Sequence, residues 1–111
     1  MERRVKSEKY KNLLERIKIC IEKGNYRFTE HALKRKIQRS FTLPDVLYIL
    51  KNGYHEKAKD VWDEQYKIWK YSIRGKTIDK VEGRIIVNLD KSGVLIITII
   101  RLNKGGECKR K

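Results

Sequence analysis

The sequence predicts an α+β domain, with three N-terminal helices packed on one face of a three- or four-stranded antiparallel sheet. Three observations carry this. Apolar residues recur every three or four positions through the first half of the chain, the spacing of one helical face. From "KIWKYSIR" onward they alternate or run together, as strand residues do. Helix-capping residues punctuate the first half, and the tight-turn composition "DKSG" punctuates the second. At 111 residues the chain is long enough for one core and needs no second domain. Residues 1–103 read as that domain and 104–111, Gly-broken and basic, as a flexible tail.

The first helix is expected from Ser7 to Lys23. Tyr10, Leu13, Leu14, Ile17, Cys20 and Ile21 form its buried face, and Gly24 stops it. "NYRF" reads as an extended link. Thr29 then caps a second helix with Glu30 in its first turn, favourable at the positive end of the dipole, and Ala32, Leu33 and Ile37 as its buried stripe. Thr42 caps the third, with Pro44 in the first turn and Asp45 three residues after the cap. Leu43, Val46, Leu47 and Leu50 point inward and Gly53 ends it. "YHEKAKDV" reads as an edge strand. In "KIWKYSIR", Trp69, Tyr71 and Ile73 make an apolar side opposite Lys70, Ser72 and Arg74. "GRIIVNL" and "VLIITIIRL" follow as a hairpin. The last strand, apolar almost throughout, is expected to lie centrally with both faces covered.

The formal net charge is +14, far more than solubility requires, which makes nucleic acid the leading partner class. An incidentally basic surface is the alternative. The charge is uneven: 13 basic against 5 acidic residues in 1–40, 3 against 5 in 41–66, and 12 against 4 in 67–111. A basic face built from the N-terminal helices and the C-terminal sheet follows. Cys20 and Cys108 have neither metal-ligand spacing nor a disulfide framework around them, so no metal or cofactor is expected. Cys20 reads as a core thiol and Cys108 as a tail residue. No apolar run approaches a membrane span and the start lacks a secretory apolar region, so the expected location is cytoplasmic, away from membranes.

On the second helix, His31, Arg35 and Arg39 fall at i, i+4 and i+8, along one line about 12 Å long. Three such groups in a row repel one another unless an anion, such as a phosphodiester, lies between them. The plainer reading has Arg35 and Arg39 solvated or paired with Glu30 or Asp45, and His31 as a polar residue at the core edge.

"F-T-x-H-A-x-x-R-x-x-x-R", carried by Phe28, Thr29, His31, Ala32, Arg35 and Arg39, resembles the opening signature of the domain of unknown function 4258 family. "LPDVLYILKNG" and "RIIVNLDKSGVLIITIIR" are similar to its next helix and closing hairpin, so the likeness covers roughly residues 26–102. That family is grouped with RelE-like and MqsR-like toxins, small basic α+β proteins that cut messenger RNA and are restrained by an antitoxin. The resemblance implies that fold, a type II toxin–antitoxin role, an endoribonuclease (mRNA interferase) activity, RNA or ribosome-bound mRNA as substrate, and a cognate antitoxin as partner. By the MqsR-like layout, Lys57 looks like the lysine before the sheet, Gln65 the strand glutamine, and Arg101 the cation closing the last strand. Two departures stand out: MqsR has no clear counterpart of the "HAxxR" stripe, and Arg101 stands where the toxin has a Lys.

Metal-independent RNA cleavage needs a base for the 2′-hydroxyl, a positive group for the crowded phosphorane, and an acid for the departing 5′-oxygen. The expected catalytic set is therefore His31 or Lys57 for the proton, with Arg35 and Arg101 on the scissile phosphate. Arg39, Lys70 and Arg74 are expected to hold the RNA backbone with Gln65, and Tyr71 or Trp69 to stack on a base, although alternation with Ile73 makes both aromatics core candidates. His55 reads as a surface residue without a partner. The rival reading is a non-catalytic nucleic-acid or ribosome-binding module using the same cations for phosphate contacts alone. A third, a basic face docking an acidic antitoxin-like segment, coexists with the toxin reading.

Overall fold

A computed structural model describes residues 8–102; the basic tail with Cys108, and the expected start of the first helix at Ser7, lie outside them. Among the described residues the fold is mixed α+β, with three helices and a six-stranded sheet. The elements are α1 (Leu13–Lys23), β1 (Tyr26–Phe28), α2 (Glu30–Gln38), α3 (Leu43–Asn52), β2 (Tyr54–His55), a 3-10 turn (Lys57–Lys59), β3 (Val61–Asp63), β4 (Ile68–Lys76), β5 (Glu82–Asp90) and β6 (Gly93–Arg101).

The caps decide where the helices begin and end. Thr29 accepts from the Ala32 amide, and Thr42 and Asp45 form a reciprocal capping box with Pro44 in the first turn. α1 starts later than expected, at Leu13, with no side-chain bond from Asn12. The Tyr10 amide instead donates to the Tyr71 hydroxyl at 3.1 Å, which holds the preceding segment against the sheet. α1 ends at Gly24 with φ +77°. α2 ends by the same device without a glycine: Ser40 takes φ +60°, its amide donates to Ile37 and that of Phe41 to Lys36, a Schellman closure.

The sheet runs β1-β6-β5-β4-β2, with β3 also on β4. It is larger than the expected three or four strands and not wholly antiparallel, because "NYRF" is a strand: β1 pairs with β6 in parallel, Tyr26 opposite Val94. β1 also separates α1 from α2, so the helices do not all precede the strands. "YHEKAKDV" divides into β2 and β3, both antiparallel to β4. Between them the Glu56 amide donates to Ser72 O and Asp60 Oδ1 accepts from the Ser72 amide, so a carboxylate stands in for a ladder carbonyl while the 3-10 turn bulges out.

α1 and α3 cover one face. Leu13, Ile17, Ile21, Val46, Ile49 and Leu50 form a single buried cluster with Ile73, Ile85, Val87, Val94, Ile96 and Ile99 of the sheet. Gly83 lets this layer close: a Cβ there would lie 2.9 Å from the Phe41 ring and 3.2 Å from Ile49. α2 does something different. β1 ends opposite Ile96, and α2 continues along the edge of β6 that β1 vacates, tied by Thr29 to Ile96 and Ile97 at one end and by Arg101 to the Arg39 carbonyl at the other.

That placement corrects three expectations about the core. Ala32 is buried, but Leu33 (44% exposed) and Ile37 (74%) are not, because a helix lying along an edge buries a narrow strip. Leu43 is exposed, and Ile49 and Phe41 fill the core instead. β6 is an interior strand between β1 and β5, yet its second face is only half-buried at Leu95, Thr98 and Ile100, since α2 does not cross it. Cys20 is half-buried as a free thiol. No helix among the described residues is long and apolar enough to cross a membrane.

Candidate phosphate site at the edge between α2 and β6

The first turn of α2 carries His31 to β6. His31 Nε2 lies 3.0 Å from Thr98 Oγ1, and Arg35, one turn on, aims its Nε–H at the same nitrogen at 3.4 Å. A guanidinium has no acceptor, so the Arg35 contact needs Nε2 as its acceptor, and in that tautomer the Thr98 hydroxyl donates to the same nitrogen. Arg35 Nη1 is steadied by Gln38 Oε1 at 2.8 Å. At the far end of α2, Arg101 Nη1 donates to the Arg39 carbonyl at 3.1 Å. His31 and Arg101 are exposed, and Arg35 and Arg39 partly so.

His31 and Arg35 of the expected stripe are thus in contact one turn apart on α2, while Arg39, the C-cap residue that follows the helix, meets Arg101 of β6 through its carbonyl. Among the described residues no carboxylate pairs with Arg35, Arg39 or Arg101, so the alternative pairing with Glu30 or Asp45 is not formed. Asp45 is spent on the α3 cap. Arg27, just before the site, is held by Asp90.

The remaining expected residues lie elsewhere. Lys57 is exposed in the 3-10 turn at the opposite edge, three strand spacings or about 14 Å from β6. Gln65 is at the tip of the β3–β4 hairpin, not in a strand, where the Tyr66 amide and Lys67 amide close the turn on Asp63. Lys70 pairs with Asp63 at 3.0 Å, and the Tyr66 amide, with Lys70, holds that carboxyl below its ordinary range. Tyr71 is 1% exposed with its hydroxyl bound to the Tyr10 amide, so it offers no face to a base, and burial pushes its phenol upward. Trp69 packs edge-on against Trp62 across the β3–β4 ladder, ring centres 5.6 Å apart, with the Lys9 ammonium 4.5 Å from its ring.

Arg74 belongs to a neutral network. Glu56 takes Arg84 Nε at 2.7 Å and Arg74 Nη1 at 3.2 Å, Ser72 Oγ donates to it at 3.3 Å, and Glu82 takes the other side of Arg74 at 3.1 Å. The Arg84 hydrogen bond, helped by Arg74 and opposed by burial, brings the Glu56 carboxyl down to about 2. Arg74, expected to hold the RNA backbone, is thus spent on fixing the β2–β4 edge.

Two features escaped the sequence. Thr98 sits in an apolar strand, and nothing local marks it as a histidine partner. His55 is not a surface residue: its Nε2 lies 2.7 Å from Asp60 Oδ2, a fully buried carboxylate that also takes Lys9 at 3.0 Å, and its ring meets Tyr71 edge-on. The signal available was the i, i+5 spacing of a His and an Asp across a short turn.

Among curated proteins, none matches the chain. Among protein families, the one described as a domain of unknown function, DUF4258, matches residues 28–101, from the last residue of β1 through the end of β6. The matched stretch holds His31, Arg35, Arg39, Thr98 and Arg101, spans more than half of the chain, and establishes that this protein belongs to the DUF4258 family.

Proposed function

We propose that the chain is a metal-independent endoribonuclease acting at the edge between α2 and β6, in the role of the toxin of a type II toxin–antitoxin pair. The observation that carries the reading is the placing of His31 with Arg35, and of Arg101, along one edge with no carboxylate, among the described residues, to neutralise them. Once Arg35 turns its Nε–H from His31 to the phosphate, the freed Nε2 lone pair accepts the proton of the 2′-hydroxyl as that oxygen attacks phosphorus, and the imidazolium then returns the proton to the departing 5′-oxygen. Arg35 beside it stabilises the charge that grows on the phosphorane, and Arg101 and Arg39 hold the neighbouring phosphate. The toxin role and an antitoxin partner rest on the resemblance to RelE- and MqsR-like proteins read from the sequence, together with the small, strongly basic α+β character of the chain. A net charge of +14 is suited to an acidic antitoxin as well as to RNA.

One observation favours a second reading, a non-catalytic RNA or ribosome binder. With Lys57 on the far edge, His31 is the only residue of the four suited to moving a proton near neutral pH, and an arginine does not replace the acid. Cleavage of a 5′-labelled single-stranded RNA in chelator decides. The endonuclease is expected to give products ending in a 2′,3′-cyclic phosphate, a loss of about 10²–10⁴ in rate for His31→Ala with binding retained, and little change for Lys57→Ala. Binding without cleavage would establish the binder, and cleavage indifferent to His31→Ala would remove the site.

A further inference from the structure

A cleft lies where the C-terminal end of α3 meets the turn between β4 and β5. Its volume is about 430 Å³, within the range of small-ligand sites, and its walls carry Tyr48, Asn52, Tyr54, Lys76, Ile78 and Lys80. We propose that this cleft binds a base and the adjoining phosphates of single-stranded RNA, with Tyr54 and Tyr48 as stacking faces and Lys76 and Lys80 as phosphate contacts. The proposal rests on the RNA-directed reading above but not on cleavage.

Three observations support it. Tyr54 is 54% exposed and Tyr48 38%, in contrast to the buried Tyr71, so their rings are available to a base. Lys76 and Lys80, with Lys51 in the last turn of α3, carry no ion pair among the described residues. The acid nearest in the wall, Glu82, is turned to Arg74, and Asp79 in the turn is outnumbered by the lysines. That balance suits a polyanion, and base stacking on exposed aromatics beside cations is the common mode for single strands.

The cleft is also built to hold its shape. Thr77 locks the turn through three bonds: its amide donates to the Val81 carbonyl, its carbonyl accepts from the Lys80 amide, and its hydroxyl accepts from the Val81 amide. Gly53 seats α3 directly on β4: a Cβ there would lie 2.4 Å from the Arg74 carbonyl. A wall fixed before binding loses little freedom on binding. The position fits a single strand that also reaches the first site. Gly83 pairs with Arg101 and Gly75 with Gly83, so the cleft lies at the Arg101 end of the sheet, two strand spacings or about 10 Å across from β6.

The test is fluorescence anisotropy of the full chain with a labelled oligouridylate, its duplex with oligoadenylate, and an oligoglutamate peptide as competitor. Tyr54→Ala with Tyr48→Ala is expected to weaken oligouridylate binding about five- to a hundredfold, with the salt slope unchanged and Tyr→Phe at both positions restoring binding. Lys76→Ala with Lys80→Ala is expected to flatten the salt slope by about 0.7 for each phosphate left without its lysine. Photocrosslinking of the wild-type protein is expected to place the uridine adduct on Tyr54 or Tyr48, a readout independent of the variants' folding. Wild-type affinity in the double tyrosine variant, preference for the duplex, or equal competition by oligoglutamate would each overturn the proposal. Cleavage indifferent to His31→Ala would remove the catalytic assignment at the α2–β6 edge, and binding without cleavage would remove the endonuclease; either leaves this cleft standing.

Discussion

The β6 side and the β4 side of the sheet both carry several cations in the sequence and end as opposites. Along β6, α2 lines up His31, Arg35 and Arg39 with Arg101, and no acid among the described residues answers them. Along β4, the segment after β2 brings Glu56 and Asp60 inward, where they absorb Arg74, Arg84, Lys9 and His55. A count of charges cannot separate a cation held for a ligand from one held by the fold. What separates them is where the acids fall, and the acid-rich middle of the chain folds onto only one edge.

The largest effect expected is at the paired edge. Asp60→Ala strips partners from the Ser72 amide, His55 and Lys9 at once, and a loss of about 3 kcal/mol in urea unfolding is expected. Glu56→Ala leaves Arg74 and Arg84 facing each other; partial exposure softens this, and about 2 kcal/mol is expected. The same group sets an acid limb. Its folded value, about 2, lies below its ordinary 4.5, so its contribution is complete above pH 4.5 and drains away as pH falls toward 2. Glu56→Ala should flatten the stability profile in that window; an unchanged slope would mean that the network does not contribute.

Effects at the other edge are smaller and of different kind. Ser40→Gly relieves the left-handed residue that closes α2 and is expected to raise stability by about 0.5–1 kcal/mol, a gain that a thermal melt detects. Arg35→Ala and Arg39→Ala are expected to change stability by less than about 0.5 kcal/mol while each lowers the salt slope of RNA binding by about 0.7. A large stability loss in either would erase the contrast between the edges.

The caps, the three helices, the final hairpin and the i, i+4 contact of His31 with Arg35 were legible because each is written in local spacing. Thr29, Thr42 and Asp45 act within one turn of where they stand, and i, i+4 geometry is a property of the helix alone. What was not legible depends on partners far along the chain. Three residues of "NYRF" are too short to announce a strand without β6, and the exposure of Leu33 and Ile37 follows from α2 lying along an edge. Arg74 looks free until Glu56, 18 residues away, is folded onto it. Lys57 lies away from the α2–β6 edge because its expected position came from layout, and the sheet order puts three strand spacings between it and β6.

The pairing of β1 with β6 also orders events in time. The contact between His31 and Thr98 spans 67 positions, and the parallel ladder beside it joins segments about equally distant. A chain leaving the ribosome makes α1, α2 and α3 from local signals, but α2 has no edge to lie against until the last strand emerges. The basic edge is therefore assembled only when synthesis of the domain is complete. A nascent chain, or one broken off before β6, can form α2 but has neither Thr98 nor Arg101 beside it, so any activity that needs both sides of this edge waits for β6.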